Sequence, residues 1–284
     1  MARDIYQEVT DRILRDMESG TAPWEKSWNG QQRITLSVPR NGATNKPYRG
    51  INIMLLWGMY PDARFVTFKQ AKDLGGNVKK GEHGHMIVFF TKLDIKDKKT
   101  GEDKKIPFLK YYTVFNVSQC EGLNLSEVTE EAPLLPEDTQ ELVATLKVKL
   151  SHGGDKACYY PSLDTMNMPY CQDFKATDAY RATLYHEITH WTGHPTRLDR
   201  NLRNSFGSSE YAREELVAEL GGAFLCAEYG IPYQTQHASY LANWLQVLKE
   251  DKKAIMQAAS AAQKAVDFIR GQAMAEDEEL DMAA

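Results

Sequence analysis

Apolar residues recur at intervals of four at the start of the chain. The residues Ile5, Val9, Ile13 and Met17 share one face of a helix, and Gly20 follows them. An apolar stripe with this period, followed by a glycine, is typical of an amphipathic helix that ends near the glycine. We therefore predict that the chain opens with a helix that buries one face.

A different pattern follows, with short apolar runs between glycine, proline and charged residues. The runs 65–68, 86–93 and 108–117 predict strands, and the charged segment 96–105 between the last two predicts the tip of a hairpin. A short apolar helix is predicted at 52–57. The first part of the chain is therefore predicted to be a mixed α/β module.

The second half of the chain is predicted to be mainly helical. Helices are expected at 139–150, around 177–192 and around 213–224, and one or two long helices are expected from about 237 to 270. A strand and turn region at 152–168 lies between the first two. The fold class predicted for the whole chain is α+β, with a mixed α/β module before a mainly helical one.

Length and composition indicate how many domains the chain can form and where the protein is expected to be located. The chain has 284 residues, of which 42% are hydrophobic, so it can build two domains with real cores. No apolar run approaches the roughly 20 residues that cross a bilayer, and the first residues lack the apolar core of a signal peptide. The four cysteines show no C-x-x-C spacing, which predicts free thiols. We expect a cytoplasmic protein with no membrane partner.

Charge divides the chain into unlike halves. Residues 1–125 carry 20 Lys and Arg against 14 Asp and Glu, a net +6, whereas the remainder carries 14 against 25, a net −11. A basic module before an acidic one indicates that the first part meets a polyanion. The predicted division is a first domain at 1–125, an acidic linker at 126–138, a second domain at 139–272 and a disordered acidic tail at 273–284.

Aromatic and basic residues are interleaved in the first domain. Single-stranded nucleic acid is bound by rings that stack on its bases and by Lys or Arg side chains that contact its phosphates. Each residue also has an ordinary alternative, because aromatic rings fill cores and lysine-rich hairpin tips lie in solvent. The candidates for contacts with single-stranded DNA are Trp24, Arg40, Lys46, Tyr48, Arg49, Lys79, Lys80, Lys110, Tyr111 and Tyr112.

A His-Glu-x-x-His motif lies in the second domain. His186 and His190 are four residues apart, so on a helix they project from one face and can hold one Zn²⁺ ion. Glu187 would lie beside the ion, where a carboxylate can accept the proton of a water molecule. This combination is typical of metallopeptidases.

The third ligand must come from elsewhere in the chain. A metzincin would have a histidine six residues after the second one, but this chain has Thr196 there, and His194 follows a glycine at an unsuitable position. A helix further on carries Glu215 and Glu219 one turn apart, so the first can bind the metal while the second orients a histidine. Glu214 remains an alternative to Glu215 as the ligand.

Glycines support the placement of the two metal-bearing helices. Gly193 is expected to end the first helix, which Thr177 or Asp178 is expected to cap. Gly221 and Gly222 lie inside the second helix, where each costs about 1 kcal/mol against alanine. Close contact with a neighbouring helix is the expected reason for that cost.

Two residues are candidates for contact with a substrate or a transition state. Tyr159 lies in the strand and turn region that is expected to border the metal cleft, and His237 precedes the last helices. For His237 the alternative is an ordinary core or surface histidine.

The same segments resemble known proteins. The motif His186-Glu187-x-x-His190 followed by Glu215-x-x-Ala218-Glu219 is similar to the gluzincin arrangement. The phrases HEITHWTGH, EELVAELGGAFLCAEYGI and YLANWLQVLKEDKKAI resemble the zincin-like domain of plasmid antirestriction proteins of the ArdC type, and also the domain joined to conjugative primases. The first half of the chain resembles the N-terminal domain of the same family in the phrases APWEKSW, NKPYRGIN, FVTFKQAKDLGGNVKKGEHG and YYTVFNVSQCEGL.

The resemblance implies a division of labour between the two domains. The first would bind single-stranded DNA, the second would hold one Zn²⁺, and together they would protect incoming plasmid DNA from host restriction during conjugation. Two alternatives remain: an active zinc metallopeptidase that cleaves a host or partner protein, and a primase-associated DNA-binding accessory with a structural metal. A structural zinc usually has four protein ligands and needs no base beside it.

Overall fold

A computed structural model describes residues 3–19, 37–96, 103–125, 138–202, 207–233 and 241–283. In its N-terminal part, the helices are α1 (Ile5–Glu18), α2 (Ile51–Leu56) and α3 (Phe68–Asp73). The strands of this part are β1 (Arg40–Asn41), β2 (Arg64–Thr67), β3 (Asn77–Val78), β4 (His85–Lys96), β5 (Asp103–Asn116) and β6 (Cys120–Glu121).

The main sheet of this part is built on the predicted hairpin. Its strand order is β1-β2-β5-β4, with β5 antiparallel to both of its neighbours and β4 at one edge. Val88 pairs with Tyr111 and Phe89 with Lys110, which fixes the face on which each hairpin side chain lies. The edge is covered at one point, because the Asn52 side chain bonds both the N–H and the C=O of Val88, each at 2.8 Å.

The C-terminal part is mainly helical, and the predicted α+β class with two domains is confirmed. Its small sheet has the order β7-β9-β8, with β8 antiparallel to β9. The elements of this part are α4 (Thr139–Thr145), β7 (Leu150–His152), β8 (Cys158–Tyr160), β9 (Thr165–Met168), α5 (Thr177–Thr192), α6 (Ser209–Glu228), α7 (Leu241–Glu250) and α8 (Ala254–Ala283).

Three helix ends differ from the sequence prediction. Helix α5 is capped by Ala176, with no side-chain hydrogen bond, so neither Thr177 nor Asp178 is the cap. Helix α4 ends at Thr145, because Lys147 takes a positive φ of 55° that breaks the helix. Helix α8 continues to Ala283, beyond the end near residue 270 that the sequence predicts, in keeping with the alanine, glutamate and methionine content of this segment.

The first helix packs on the last ones. Val9, Ile13 and Met17 belong to the same buried cluster as Trp244 and Leu248 of α7. The Thr10 hydroxyl donates to the carbonyl of Lys252 at 2.8 Å, and Lys252 pairs with Asp4 at 2.5 Å. Helix α1 therefore lies with the C-terminal helices, although its residues fall within the predicted 1–125 domain.

Two further features of the described residues concern the cysteines and the lengths of the helices. All four cysteines are free, and Cys120 and Cys226 are buried. Among the described residues, no helix is both long and apolar enough to cross a membrane. Most of the segment that was predicted as a linker, 126–137, lies outside the described residues.

Candidate metal centre and nucleic-acid interface

Helices α5 and α6 bring the three predicted ligands together. The ligand atoms of His186, His190 and Glu215 all lie within 4.8 Å of one another. The Nε2 atoms of both histidines are 3.6 Å from the Glu215 carboxylate, each facing a different oxygen. The His186 side chain is 1% exposed and that of His190 13%, so the cluster opens to solvent on the His190 side.

The close packing that places Glu215 depends on the two glycines of α6. A Cβ atom on Gly221 would lie 2.5 Å from Thr189 of α5, and one on Gly222 would lie 3.0 Å from the Tyr233 ring and 3.3 Å from the backbone nitrogen of His186. The predicted reason for these glycines, close helix contact, is confirmed. Without a side chain at these positions, α6 can approach α5 closely enough for its carboxylates to reach the histidines.

A second carboxylate faces the other nitrogen of each histidine ring. Glu214 Oε1 is 3.2 Å from His190 Nδ1, while Glu219 Oε1 is 3.9 Å from His186 Nδ1. These acids are themselves held, because Arg200 donates to Glu214 at 2.9 and 3.0 Å and the Tyr233 hydroxyl donates to Glu219 at 2.8 Å. Outer acids of this kind fix the orientation of ligand imidazoles.

The charges of the cluster stabilise one another. Burial lowers the pKa of the His190 imidazole, but Glu214 and Glu215 outweigh burial and raise that pKa well above its usual value. Burial raises the pKa of the Glu215 carboxyl, but His186 and His190 outweigh it and hold that pKa well below its usual range. A cation is therefore favoured among these groups, and a metal ion would have to displace a proton from His190.

Glu187 is held next to this cluster by the neighbouring sheet. Its side chain is 5% exposed, and its Oε2 accepts a hydrogen bond of 2.8 Å from the backbone N–H of Tyr159 in β8. The Tyr159 hydroxyl points elsewhere and donates to Asp164 at 2.7 Å. Arg197 pairs with that same Asp164 and donates to the Tyr159 hydroxyl at 3.1 Å. Tyr159 thus reaches the site through its backbone N–H, while its side chain is buried and bonded to Asp164; its contact with a substrate stays a prediction.

The donor set fits a divalent metal ion. Two imidazole nitrogens and one carboxylate are the three protein ligands of many catalytic zinc sites, and separations of 3.6 Å suit atoms that share one ion at about 2.0 to 2.2 Å. His194 is not part of the group and bonds Thr196 at 2.8 Å instead. His237 lies outside the described residues.

One face of the hairpin presents exposed aromatic side chains around a lysine. Lys110 lies opposite Phe89, and Phe108 and Tyr112 lie two residues to either side of it on the same face of β5. The exposed fractions are 55% for Phe89, 42% for Phe108 and 46% for Tyr112. We call these four residues the hairpin face. Sequence analysis had selected Lys110 and Tyr112 but missed the two phenylalanines, because their burial depends on what packs against the hairpin.

The other DNA candidates lie in varied places. Tyr111 is on the opposite face, where the Arg3 guanidinium lies 4.0 Å from its ring centre. Tyr48 packs, partly buried, against the small core of Leu56, Phe65 and Val114, and burial raises the pKa of its hydroxyl to about 12. The remaining candidates are Arg40, bonded to Asn45; Arg49, paired with Asp267; the exposed Lys46, Lys79 and Lys80; and Trp24, which lies outside the described residues.

Family models match both parts of the chain. Residues 3–115 match the N-terminal domain of the anti-restriction factor ArdC, and residues 137–261 match a zincin-like metallopeptidase. The metal-free crystal structure of the antirestriction protein ArdC from plasmid R388 superposes with a TM-score of 0.81 at 41% identity, covering 96% of this chain and 98% of that one. The chain belongs to the ArdC family.

Other relatives of this ArdC family member extend the comparison. The Mn(II)-bound crystal structure of R388 ArdC is 38% identical, with a TM-score of 0.76, over 95% of this chain and 98% of that chain. The uncharacterised protein y4eC of Sinorhizobium fredii is 37% identical over 95% of this chain and 92% of its own length. A DNA primase TraC of Escherichia coli is also 37% identical over 94% of this chain, which spans only 27% of that primase.

Proposed function

We propose that this ArdC family member binds single-stranded DNA through its N-terminal part and protects incoming conjugative plasmid DNA from host restriction. The observation that carries the proposal is the hairpin face, where three exposed rings surround Lys110. Stacking on such rings tolerates any base, and each stacked base contributes about 1 to 3 kcal/mol. A protein that must cover DNA of any sequence needs this kind of contact.

The antirestriction role is supported by the similarity of this chain to its relatives. The antirestriction protein of plasmid R388 matches nearly the whole chain, and the DNA primase TraC of Escherichia coli contains a region of the same kind. Both names describe proteins that deal with DNA, in keeping with the DNA binding proposed here. Covering the strand would shield it by mass action, without turnover.

Phe89 and Phe68 form a matched pair for testing DNA binding. Both rings are 55% exposed, but Phe68 lies on α3, away from the hairpin face. We expect Phe89→Ala to weaken the binding of a fluorescent oligothymidylate to the full-length protein by about 1 to 3 kcal/mol, with Phe68→Ala close to wild type. Equal affinities for the two variants in fluorescence anisotropy would contradict the proposed interface.

We further propose that the ion held by His186, His190 and Glu215 is Zn²⁺. Two nitrogen ligands and one oxygen ligand would suit zinc, although the Mn(II)-bound relative shows that a family member can also hold another divalent ion. When bound, the ion supplies Lewis-acid chemistry, polarising carbonyl oxygens and lowering the pKa of water. Glu214 and Glu219 orient the histidine rings so that both Nε2 atoms face Glu215.

Glu187 would act as the base of a peptidase reaction. The Tyr159 N–H occupies Oε2 of its carboxylate and fixes its orientation, so a proton would be accepted at Oε1. Arg197 and Asp164 hold the Tyr159 side chain and thereby the strand that carries this N–H. These residues would orient the base, and they do not touch the cluster of ligand atoms.

This oriented base supports a second candidate function, a zinc metallopeptidase that cleaves a host or partner protein. A metal with only a structural task would not need a carboxylate held beside it. The two functions are separable, because Glu187→Ala removes the base and leaves all three ligands and the hairpin face intact. Protection that survives this change favours DNA covering, and protection that disappears favours proteolysis.

A further inference from the structure

A groove separates the exposed edge of the hairpin from helix α8. Its volume is about 860 Å³, and it is lined on one side by Phe89 and Phe90 of β4 and on the other by the solvent-facing residues of α8. Phe90 is 53% exposed, and its ring meets Tyr6 of α1 edge-on, with the centroids 6.4 Å apart. Phe89 and Phe90 point to opposite faces of β4, so the groove runs along the β4 edge beside the hairpin face and leads onto the acidic half of the chain.

The α8 wall of the groove is locally basic. Lys253, Gln257, Ser260 and Lys264 are all exposed and recur at the spacing of one helix face. The carboxylate on this wall, Asp267, is paired with Arg49 and accepts a hydrogen bond from Gln263 at 3.1 Å. The two lysines therefore set the local charge, against the negative balance of the half to which they belong.

The spacing of the lysines suits an extended polyanion. Lys253 and Lys264 are eleven positions apart, which corresponds to roughly 16 Å along the axis of a helix. Successive stacked nucleotides of one strand are about 3.4 Å apart, so the two ammonium groups span several phosphates of a single strand. Gln257 and Ser260 lie between the lysines and offer an amide and a hydroxyl to bases or sugars.

A peptide is a poorer occupant of the same groove. An extended peptide would bind by adding a strand to the β4 edge, but the Asn52 side chain already bonds the N–H and C=O of Val88 at that edge. Rings on one wall and cations on the other match a nucleic-acid strand, whose bases and phosphates project in different directions.

We propose that this groove is a second segment of the single-stranded DNA site, in which Lys253, just before α8, and Lys264 of α8 bind phosphates while the Phe90 ring receives a base. The inference rests on the single-stranded DNA binding proposed above and extends it into the half of the chain that is acidic overall. Residues from both parts of the chain would then contribute to one DNA-binding surface.

The test is the salt dependence of oligothymidylate binding by the full-length protein. Lys253→Met/Lys264→Met removes both charges and keeps the apolar stems, which matters because Lys253 lies 5.5 Å from the Tyr6 ring centre. We expect about tenfold weaker binding at 0.1 M salt and a slope of log affinity against log salt that is smaller by about 1.4. Lys149→Met/Lys175→Met changes the same charge at exposed sites outside the groove and should leave the slope as in wild type.

The outcomes separate this inference from the function on which it rests. If Phe89→Ala weakens binding but Lys253→Met/Lys264→Met changes neither affinity nor slope, DNA binding stands and the α8 wall is excluded. If the wild-type protein binds no oligothymidylate, both are overturned. A single Lys264→Glu variant, at a position that packs on no ring, should weaken binding further than Lys264→Met, and unchanged binding by this variant would also overturn the inference.

Discussion

Glu214 and Glu215 are neighbours in sequence but contact opposite nitrogens of the same imidazole ring. Glu215 lies 3.6 Å from His190 Nε2, on the side that also faces His186, whereas Glu214 lies 3.2 Å from His190 Nδ1 and is paired with Arg200. The alternative that sequence analysis left open therefore has a geometric answer. We therefore propose Glu215 as the metal ligand and Glu214 as the acid that orients His190.

The two glutamates should differ sharply in metal analysis. We expect Glu215→Ala to lose most of its bound zinc, because one of three protein ligands is removed. Glu214→Ala should keep the ion but bind it about 10- to 100-fold more weakly, since only the orientation of His190 is lost. Isothermal titration with Zn²⁺ measures both changes. Retained zinc in Glu215→Ala together with lost zinc in Glu214→Ala would reverse the assignment.

Asp164 gives a pH dependence that is independent of the metal. Its hydrogen bond from Arg197 lowers its pKa to about 2, from the ordinary 3.8. Because the folded pKa is the lower one, the stabilisation is complete above pH 3.8 and is lost as the pH falls through 2. The carboxylate is partly exposed, so its contribution is on the order of 1 kcal/mol.

Asp164→Asn tests this dependence, since asparagine tolerates the positive φ of 50° at this position. In urea unfolding at pH 7, the variant should be less stable than wild type. At pH 3 the difference should shrink to about half, because the unfolded wild-type chain is then largely protonated. A difference that stayed constant between pH 7 and pH 3 would show that the ion pair with Arg197 does not stabilise the fold.

At the scale of the elements, the metal centre depends on how closely α6 approaches α5. Gly221 faces Thr189, and a Cβ atom would lie 2.5 Å from two atoms of that side chain. Thr189 is fully buried and bonds the carbonyl of Tyr185 at 2.8 Å, so it cannot move aside freely. Any atom added at Gly221 must push the two helices apart.

Gly221→Ala should therefore destabilise the protein by about 1 to 3 kcal/mol and weaken metal binding, because Glu215 moves away from the histidines. Gly271→Ala is the matched control, since nothing lies within 4 Å of a Cβ there and α8 should gain up to about 1 kcal/mol in helix propensity. Urea unfolding and zinc titration provide the two measurements. A Gly221→Ala variant as stable as Gly271→Ala would refute the role of close packing.

Elements with strong local signals could be predicted from the sequence, and contacts between distant elements could not. The stripe from Ile5 to Met17 predicted α1, and the spacing of His186 and His190 predicted a shared helix face. Nothing local links Arg200 to Glu214, or Asp164 to Arg197, because loops set these distances. The exposure of Phe89 likewise depends on the neighbours of the hairpin in three dimensions.

At the scale of the whole molecule, the boundary between the basic and the acidic half of the chain does not divide the hydrophobic core. The basic residues are concentrated in 1–125, yet α1 of that segment packs on α7 and bonds the segment between α7 and α8. Lys253, just before α8, and Lys264 of α8 in turn line the groove opposite the hairpin. The two halves share one buried cluster, so DNA binding is best measured on the full chain, without isolating the N-terminal part.

The metal site and the hairpin face are separate within this shared core. The hairpin face and the cluster of His186, His190 and Glu215 lie on different elements, and none of the four residues of the hairpin face contributes a ligand. DNA covering needs only stacking and phosphate contacts, whereas proteolysis needs a specific protein substrate. We therefore expect the two activities to be lost through different substitutions.

The most direct test of the central claim is a restriction-protection assay during DNA uptake that compares Glu187→Ala with Phe89→Ala/Lys110→Ala/Tyr112→Ala. We predict that Glu187→Ala keeps its affinity for single-stranded DNA and protects much of the incoming DNA, while the triple variant loses both activities. Zinc content and single-strand affinity are measured on the same preparations as controls. Loss of protection by Glu187→Ala, with zinc content and DNA affinity at wild-type levels, would contradict the account and assign protection to the metallopeptidase site.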